Sequence, residues 1–453
     1  MSGFKYVNND KKLLIEIFSD CIKRPIIDKS EVIKRRIPNL PSKKKPINQV
    51  SDSIIPQIIP TISLNEIITP TEKFDNEFKV YKMGETYDDV RVTMPNLGLD
   101  IGTRTVVISF RAADKINYIS EINGYWPFER ATQFVENVLN DPNKIRSDGT
   151  KRPARWIKLD NGQIMVLGRD AEEFAYAKND TLLRPMAEGG VNANEEALTI
   201  LASIVHGLLE TAEHELGKFT DTVKICYCTT AKAINREVNI GYHERIVNMI
   251  LDNYNTKVKL EHSAIKESHA IVLNMSQDGT GIGISWGAGT VTVSYVRYGI
   301  EIYSFCWVGA GDWIDEQVAI RHGYNSERSK TLARIAKETP TTVSKRKMDI
   351  DLTPNKEPSD RIGFDIVMHY DVLIDQVING IVQGFNEHES QARIDGGINI
   401  YMAGGTSSPK GFAKRVERKL GEKDLPFIVN QIICSDKPLY CVAEGCLKAS
   451  EMF

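Results

Sequence analysis

Twice in this chain a run of apolar, β-forming residues breaks at a turn of small residues and resumes: "LGLDIGTRTVVISF" at 97–110 and "GIGISWGAGTVTVSYVR" at 281–297. A bare hairpin is served by Asn-Gly or Asp-Gly. An aspartate, a glycine and two threonines between buried strands therefore ask for a further reason. Glycine lets backbone N–H groups approach an anion, and threonine adds a hydroxyl donor. Two such hairpins facing each other across a cleft would clamp a polyphosphate from both sides. Asp100 would then be poised to hold Mg²⁺ through water, because Mg²⁺ keeps most of its hydration shell. Taken singly, each hairpin reads equally well as an ordinary structural turn.

Around the two hairpins, strands alternate with helices. Strands are expected at 97–101, 105–112, 116–122, 154–158 and 163–168, followed by a helix at 193–216, a strand at 223–230 and a helix at 233–251. After the second hairpin come a third strand in "EIYSFCWVGAG" and helices at 312–322, 327–338 and 359–389. A strand at 398–405, a helix at 409–420, a strand at 426–431 and a helix at 438–451 complete the pattern. The restart is a weak internal duplication, and it predicts an α/β protein with two lobes of similar plan around a cleft. The expected lobes are residues 95–270 and 271–453.

Residues 1–94 have a different texture. Residues 11–23, "KKLLIEIFSDCIK", would form one short amphipathic helix. Its polar face mixes Lys with Glu and Asp, so a partner protein suits it at least as well as a membrane surface. Residues 24–75 are rich in Pro, Lys and Ile without helical period, which reads as an extended or disordered tether. Its apolar run "SIIPQIIPTISL" is interrupted by proline, so no segment is expected to span a bilayer. A formal net charge of −3 over 453 residues makes no case for nucleic acid as a partner. Seven scattered cysteines point to reduced core thiols, and with no secretory-type apolar stretch at the N-terminus the expectation is a cytoplasmic protein. Cys226 and Cys228 share one face of a strand, without a second pair to complete a metal site.

Two further glycine clusters carry chemistry. "MAGGTSSPKGF" (402–412) ends a strand and opens a helix, a place where backbone amides attract phosphate or pack against a base and sugar. "WVGAGDWIDEQVA" (307–319) puts Asp312 at an expected helix N-cap, with Asp315 and Glu316 in the first turn.

Taken in order, these segments resemble the actin, Hsp70 and sugar-kinase superfamily, and most closely its bacterial actin branch, the MreB type. "LGLDIGTRT" is similar to that superfamily's first phosphate motif, "GISWGAGTVT" to its second, "VGAGDWIDEQV" to the element that follows, and "MAGGTSSPKGF" to the adenosine motif. "VLGRDAEEFAYA", "LLRPMAEGGV" and the closing "DKPLYCVAEGCLKASE" are similar to stretches of MreB-type actins. The likeness covers about 95–453 and implies a bilobed actin-like ATPase fold with an N-terminal extension.

Carried over position by position, the resemblance implies that Asp100 holds hydrated Mg²⁺ and that Gly102, Thr103, Arg104 and Thr105 cradle phosphate. Glu267, in "IKESHAIVL", would orient the attacking water. Gly287, Ala288, Gly289 and Thr290 would form the second phosphate turn. Gly311, Asp315 and Glu316 would lie on the nucleoside side, and Gly404, Gly405 and Thr406 would form the adenosine loop. Three positions depart from the pattern. Ser285 stands where the second phosphate motif carries an aspartate, Ser268 replaces the proline after Glu267, and "SERSKTLARIAKE" (326–338) puts Ala333 and Ala336 where Glu and Lys are expected. A neutral hydroxyl at 285 cannot polarise water as a carboxylate does, so hydrolysis would be slow.

The resemblance implies a filament-forming cytoskeletal ATPase with ATP and Mg²⁺ as cofactors, self-associating head to tail. A non-polymerising, nucleotide-binding scaffold that docks a protein or membrane partner through residues 1–94 is the alternative. A small-molecule kinase would need a catalytic acid near the second hairpin, where the chain has Ser285.

Overall fold

The computed structural model describes residues 95–452, apart from 113–114, 129–131, 146–148, 150, 179, 218, 220–221, 238–239, 255–257, 323–342 and 393–395. The helix expected at 11–23, the tether at 24–75 and the helix expected at 327–338 lie outside the described residues.

The first lobe runs β1 (Asn96–Ile101), β2 (Thr105–Ala112), β3 (Lys115–Ile122), β4 (Tyr125–Phe128), α1 (Gln133–Leu139), β5 (Trp156–Lys158), β6 (Ile164–Leu167), α2 (Gly168–Lys178), β7 (Met186–Ala187), β8 (Gly190–Val191), α3 (Glu195–Leu216), β9 (Thr222–Thr229), α4 (Ile240–Asp252) and β10 (Lys259–Lys266). Helix α5 (Glu267–Met275) leads to the second: β11 (Gly281–Trp286), β12 (Thr290–Arg297), β13 (Ile300–Val308), α6 (Gly311–Arg321), α7 (Val343–Asp349), α8 (Arg361–Glu387), α9 (Glu389–Ala392) and β14 (Gly397–Ala403). A 3₁₀ turn (Gly405–Ser407), α10 (Phe412–Gly421), β15 (Ile428–Cys434) and α11 (Cys441–Ser450) finish it.

The two main sheets are built alike. The first has strand order β10-β9-β1-β2-β3 and the second β15-β14-β11-β12-β13. In each, an antiparallel three-strand meander is extended by two parallel strands. The duplication in the sequence is therefore a duplication of topology. Each sheet has its own apolar core, one built around Leu97, Ile108 and α3, the other around Ile284, Val293 and α8. Both long helices start on a side-chain cap: Asn194 accepts from Ala197 N–H at 2.7 Å and Asp360 from Gly363 N–H at 2.8 Å. A small third sheet, β4-β6-β5, packs with α1 and α2 on the first lobe.

The lobes are joined by two short helices, each following one sheet and seated on the other. Helix α11 lies on β1, where a Cβ at Gly98 would sit 2.1 Å from the Ala443 carbonyl. Helix α5 lies on β11 in the same way, where a Cβ at Gly283 would sit 2.0 Å from the Ser268 carbonyl. The helices touch each other at Gly445, whose Cβ would be 2.0 Å from the Ala270 carbonyl. Cys226, Cys228, Ile271, Val296, Tyr401 and Cys446 share the apolar cluster around this crossing. The six described cysteines are free thiols.

One expected element is corrected. The helix read at 233–251 begins only at Ile240. The residues before it run extended along the second sheet: Ile234 N–H bonds to Cys306 O at 3.0 Å and Cys306 N–H to Lys232 O at 2.8 Å. The Asn235 side chain reads the Val308 backbone with two more bonds. Pairing across the lobes outweighs a local helical preference that is worth only tenths of a kcal/mol per residue.

Because the crossing depends on backbone-to-backbone contact, Gly98→Ala is expected to cost about 3 kcal/mol. Urea unfolding of the full chain checks this. A loss below roughly 0.5 kcal/mol would show that α11 can lift off β1 without penalty.

Candidate functional site

The two glycine hairpins close on the same bond. Gly102 N–H donates to Thr105 O at 3.0 Å, and Gly287 N–H to Thr290 O at 3.0 Å. A Cβ at Gly102 would fall 2.9 Å from the Thr105 carbonyl and one at Gly287 2.8 Å from the Thr290 carbonyl, so neither turn admits a side chain there. The carbonyls of these glycines are pinned alike, by Asn123 Nδ2 on Gly102 O at 2.9 Å and by Thr406 Oγ1 on Gly287 O at 2.7 Å.

The hairpin tips meet across the cleft. A Cβ at Gly289 would lie 2.7 Å from Thr103 Oγ1, and Thr103 accepts from Gly189 N–H at 3.3 Å. Gly189 belongs to the β7–β8 turn, whose two central residues, Glu188 and Gly189, have φ of 53° and 76°, and it packs against the Thr290 methyl. Three turns from two lobes thus converge on one place. They sit at the carboxyl ends of β1 and β11, where open α/β sheets bind their ligands.

Beside these turns lie two carboxylates. Asp100 is the penultimate residue of β1, and its Oδ1 accepts from the Cys228 thiol at 3.0 Å. Glu267 opens α5, and the nearby hydroxyls of Ser285 and Thr292 favour its ionised form. Thr292 Oγ1 in turn lies 3.1 Å from Thr230 Oγ1 of the first lobe. Burial pushes Asp100 up to about 6, opposed by the Cys228 bond. Burial and then the neighbouring Asp100 charge push Glu267 up to about 8, opposed by the two hydroxyls. Ser285, which replaces an expected acid, is buried near Glu267 and favours its ionised form.

On the far side of the second hairpin, the start of α6 is docked onto it. Gly311 N–H bonds to Gly287 O at 3.3 Å and Asp312 N–H to Ala288 O at 2.8 Å. Gly404 has φ of 95° and approaches so closely that a Cβ would lie 2.3 Å from Trp286 O. Gly405 starts the 3₁₀ turn that carries Thr406.

The structure therefore brings together Asp100, Gly102, Thr103, Thr105, Glu267, Gly287, Ala288, Gly289, Thr290, Gly311, Gly404, Gly405 and Thr406. Four expected placements differ. Arg104 turns to Glu172 of α2, 3.8 Å away. Asp315 is fully buried and faces Lys347 of α7, with Nζ 3.4 Å from its Oδ2. Glu316 is exposed. Asp312 is no N-cap: the helix starts at Gly311, and Asp312 pairs with Arg184 of the first lobe at 2.8 Å. Residues 326–338, including Ala333, Ala336, Lys337 and Glu338, lie outside the described residues.

Sequence reading missed Asn123, Thr292, Arg184 and Lys347. Lys347 Nζ also donates to Gly311 O at 3.2 Å, so a buried cation lies under the start of α6. Asn123 and Lys347 lie outside the quoted motifs, while Thr292 ends "GISWGAGTVT" and Arg184 lies in "LLRPMAEGGV", where neither had been given a role. Only the odd composition of a buried strand, with Thr292 and Ser294 among valines, gave a hint.

The fit to a nucleotide and a metal follows from these residues. The two turns admit only glycine at their first positions, as a backbone cradle for phosphate requires. Among the described residues, no cluster of three or more His, Cys, Asp or Glu side chains is arranged to hold an ion directly. Asp100 with Glu267 nearby fits a cation that keeps its water shell.

Both acids titrate higher in the folded protein than in the unfolded chain. Between about pH 4 and pH 8 the folded state therefore binds more protons, and stability falls as pH rises. In EDTA, the unfolding free energy is expected to decline across this window. Glu267→Gln should remove the part of the decline nearest pH 8; a variant with the same pH slope as the wild type would contradict the assignment.

The sequence pattern that defines the Volactin family matches residues 95–450. Among solved structures, the MamK double helical filament aligns at 16% identity with a TM-score of 0.52, over 78% of this chain and 98% of that one. A non-polymerising MamK mutant bound to AMPPNP aligns at 14% identity and 0.46, over 79% and 99%. The ethanolamine utilization protein EutJ from Carboxydothermus hydrogenoformans aligns at 13% and 0.43, over 78% and 89%. No curated protein matches the sequence. The fold is that of the actin-like ATPases.

Proposed function

The chain belongs to the Volactin family, and we propose that it is an actin-like protein that binds ATP between its lobes, polymerises into cytoskeletal filaments and hydrolyses the nucleotide slowly. The observation that carries this reading is the pair of matched hairpins, closed by identical 3.0 Å bonds, with Asp100 and Glu267 beside them. Gly102, Thr103, Thr105, Gly287, Ala288, Gly289 and Thr290 would cradle the phosphates. Gly311 and the Gly404–Gly405–Thr406 turn would flank the nucleoside. Asp100 would hold a hydrated Mg²⁺, which supplies charge neutralisation on the phosphates. The lobes correspond to residues 95–270 and 271–453, and residues 1–94 form an extension for a protein or membrane partner.

In hydrolysis, ATP and water give ADP and phosphate. Glu267 would orient the water, with the Ser285 and Thr292 hydroxyls favouring its ionised form. Burial and the Asp100 charge raise the Glu267 carboxyl above the ordinary carboxylate range. Slow turnover follows from the missing acid at 285.

Self-association is supported by the shared fold with the MamK double helical filament. A head-to-tail contact whose rotation does not close yields an open filament. Among the described residues no helix is long and apolar enough to cross a membrane. The scaffold alternative is favoured by one observation, Ser285 in place of an acid.

Pelleting and light scattering with MgATP, a slowly hydrolysed analogue, MgADP and no nucleotide distinguish the two. Polymer that forms only with triphosphate supports the filament; binding without polymer at any concentration supports the scaffold. Asp100→Ala is expected to weaken Mg²⁺-dependent ATP binding at least tenfold, about 1.4 kcal/mol. Glu267→Gln should leave binding intact and slow phosphate release about 100-fold. Wild-type behaviour in both variants would contradict the site.

A further inference from the structure

Arg184 and Asp312 are joined across the cleft, one from each lobe, with Nη1 2.8 Å from Oδ2 and side chains only 8% and 14% exposed. Each is wired to a phosphate turn. Asp312 N–H bonds to Ala288 O at the tip of the second hairpin. On the other side, the Arg184 carbonyl accepts from Asn192 Nδ2 at 3.0 Å, bracing the base of the β7–β8 hairpin. The tip of that hairpin, Gly189, donates to Thr103 in the first phosphate turn. A displacement of either phosphate turn is thus transmitted to one end of the ion pair.

We propose that the Arg184–Asp312 pair is a cross-cleft latch that holds the lobes closed over bound nucleotide, which makes Arg184 a positioning residue for nucleotide retention. The identity of the ligand rests on the reading given above; the latch itself rests on the pair's geometry. When the cleft opens, both charges separate and are hydrated. When it closes they lose water and gain each other, which in a shielded site favours the closed form only while both partners are present. Removing either charge leaves the other without its cross-lobe partner. Opening then costs less, and ligand escapes sooner.

The test uses the full chain with Mg²⁺ and a fluorescent N-methylanthraniloyl-ATP, chased with unlabelled ATP. Arg184→Ala and Asp312→Ala should each release nucleotide about tenfold faster or more, with melting curves showing every variant folded at the assay temperature. The double variant should release no faster than the quicker single variant, because either change already breaks the cross-lobe ion pair. Arg184→Lys, which keeps the charge but not the fork, should fall between wild type and alanine. Release at the wild-type rate in folded single variants would overturn the latch. So would effects that multiply in the double variant.

Small-angle scattering without nucleotide provides an arm independent of the ligand. The single variants should show a larger radius of gyration than wild type; equal radii would overturn the latch. If wild type takes up no nucleotide at all, the functional reading falls, and scattering still decides whether the pair holds the lobes together.

Discussion

The crossing on which the candidate site rests is made of backbone resting on backbone. Helix α11 sits on β1 at Gly98, α5 sits on β11 at Gly283, and the two helices meet at Gly445. No side chain fits at any of the three contacts. Strands β10, β9 and β1 run parallel in the first sheet, so the first residue of α5, Glu267, directly follows β10 at the same end of the sheet as Asp100. The second hairpin is brought to this pair of carboxylates because α5 goes on to seat on β11.

The price of bringing two acids together is visible in their titration. Burial raises both, and Asp100 raises Glu267 further. Hydroxyls from Ser285 and Thr292, and the thiol of Cys228, partly offset this. An ionised pair there calls for positive charge. The same surroundings make Ser285 more than a lost ligand. It favours the ionised form of Glu267 while adding no third negative charge.

The architecture was largely legible in the sequence, because hydrophobic runs, glycine turns and capped amphipathic stretches report local structure directly. The repeat at 97–110 and 281–297 gave the duplicated sheets, and "NANEEALTILASIVHGLL" marked α3, expected at 193–216 and found at Glu195–Leu216. What escaped was non-local. Asn123, Thr292, Arg184 and Lys347 act on residues far along the chain, and nothing near them in sequence marks that role. The expected helix at 233–251 failed for the same reason, since Lys232 to Asn235 are captured by the edge of β13. Asp315 and Glu316 were named from a motif that fixes their helix but not their neighbours. One of the two is buried against Lys347 and the other faces solvent.

The most direct measurement is hydrogen–deuterium exchange of the full chain with and without MgATP, read at residues 97–110 and 281–297. A triphosphate gripped from both walls should slow exchange in both hairpins together and in the β7–β8 turn between them. Protection of one hairpin alone, or of neither at saturating nucleotide, would contradict a shared site.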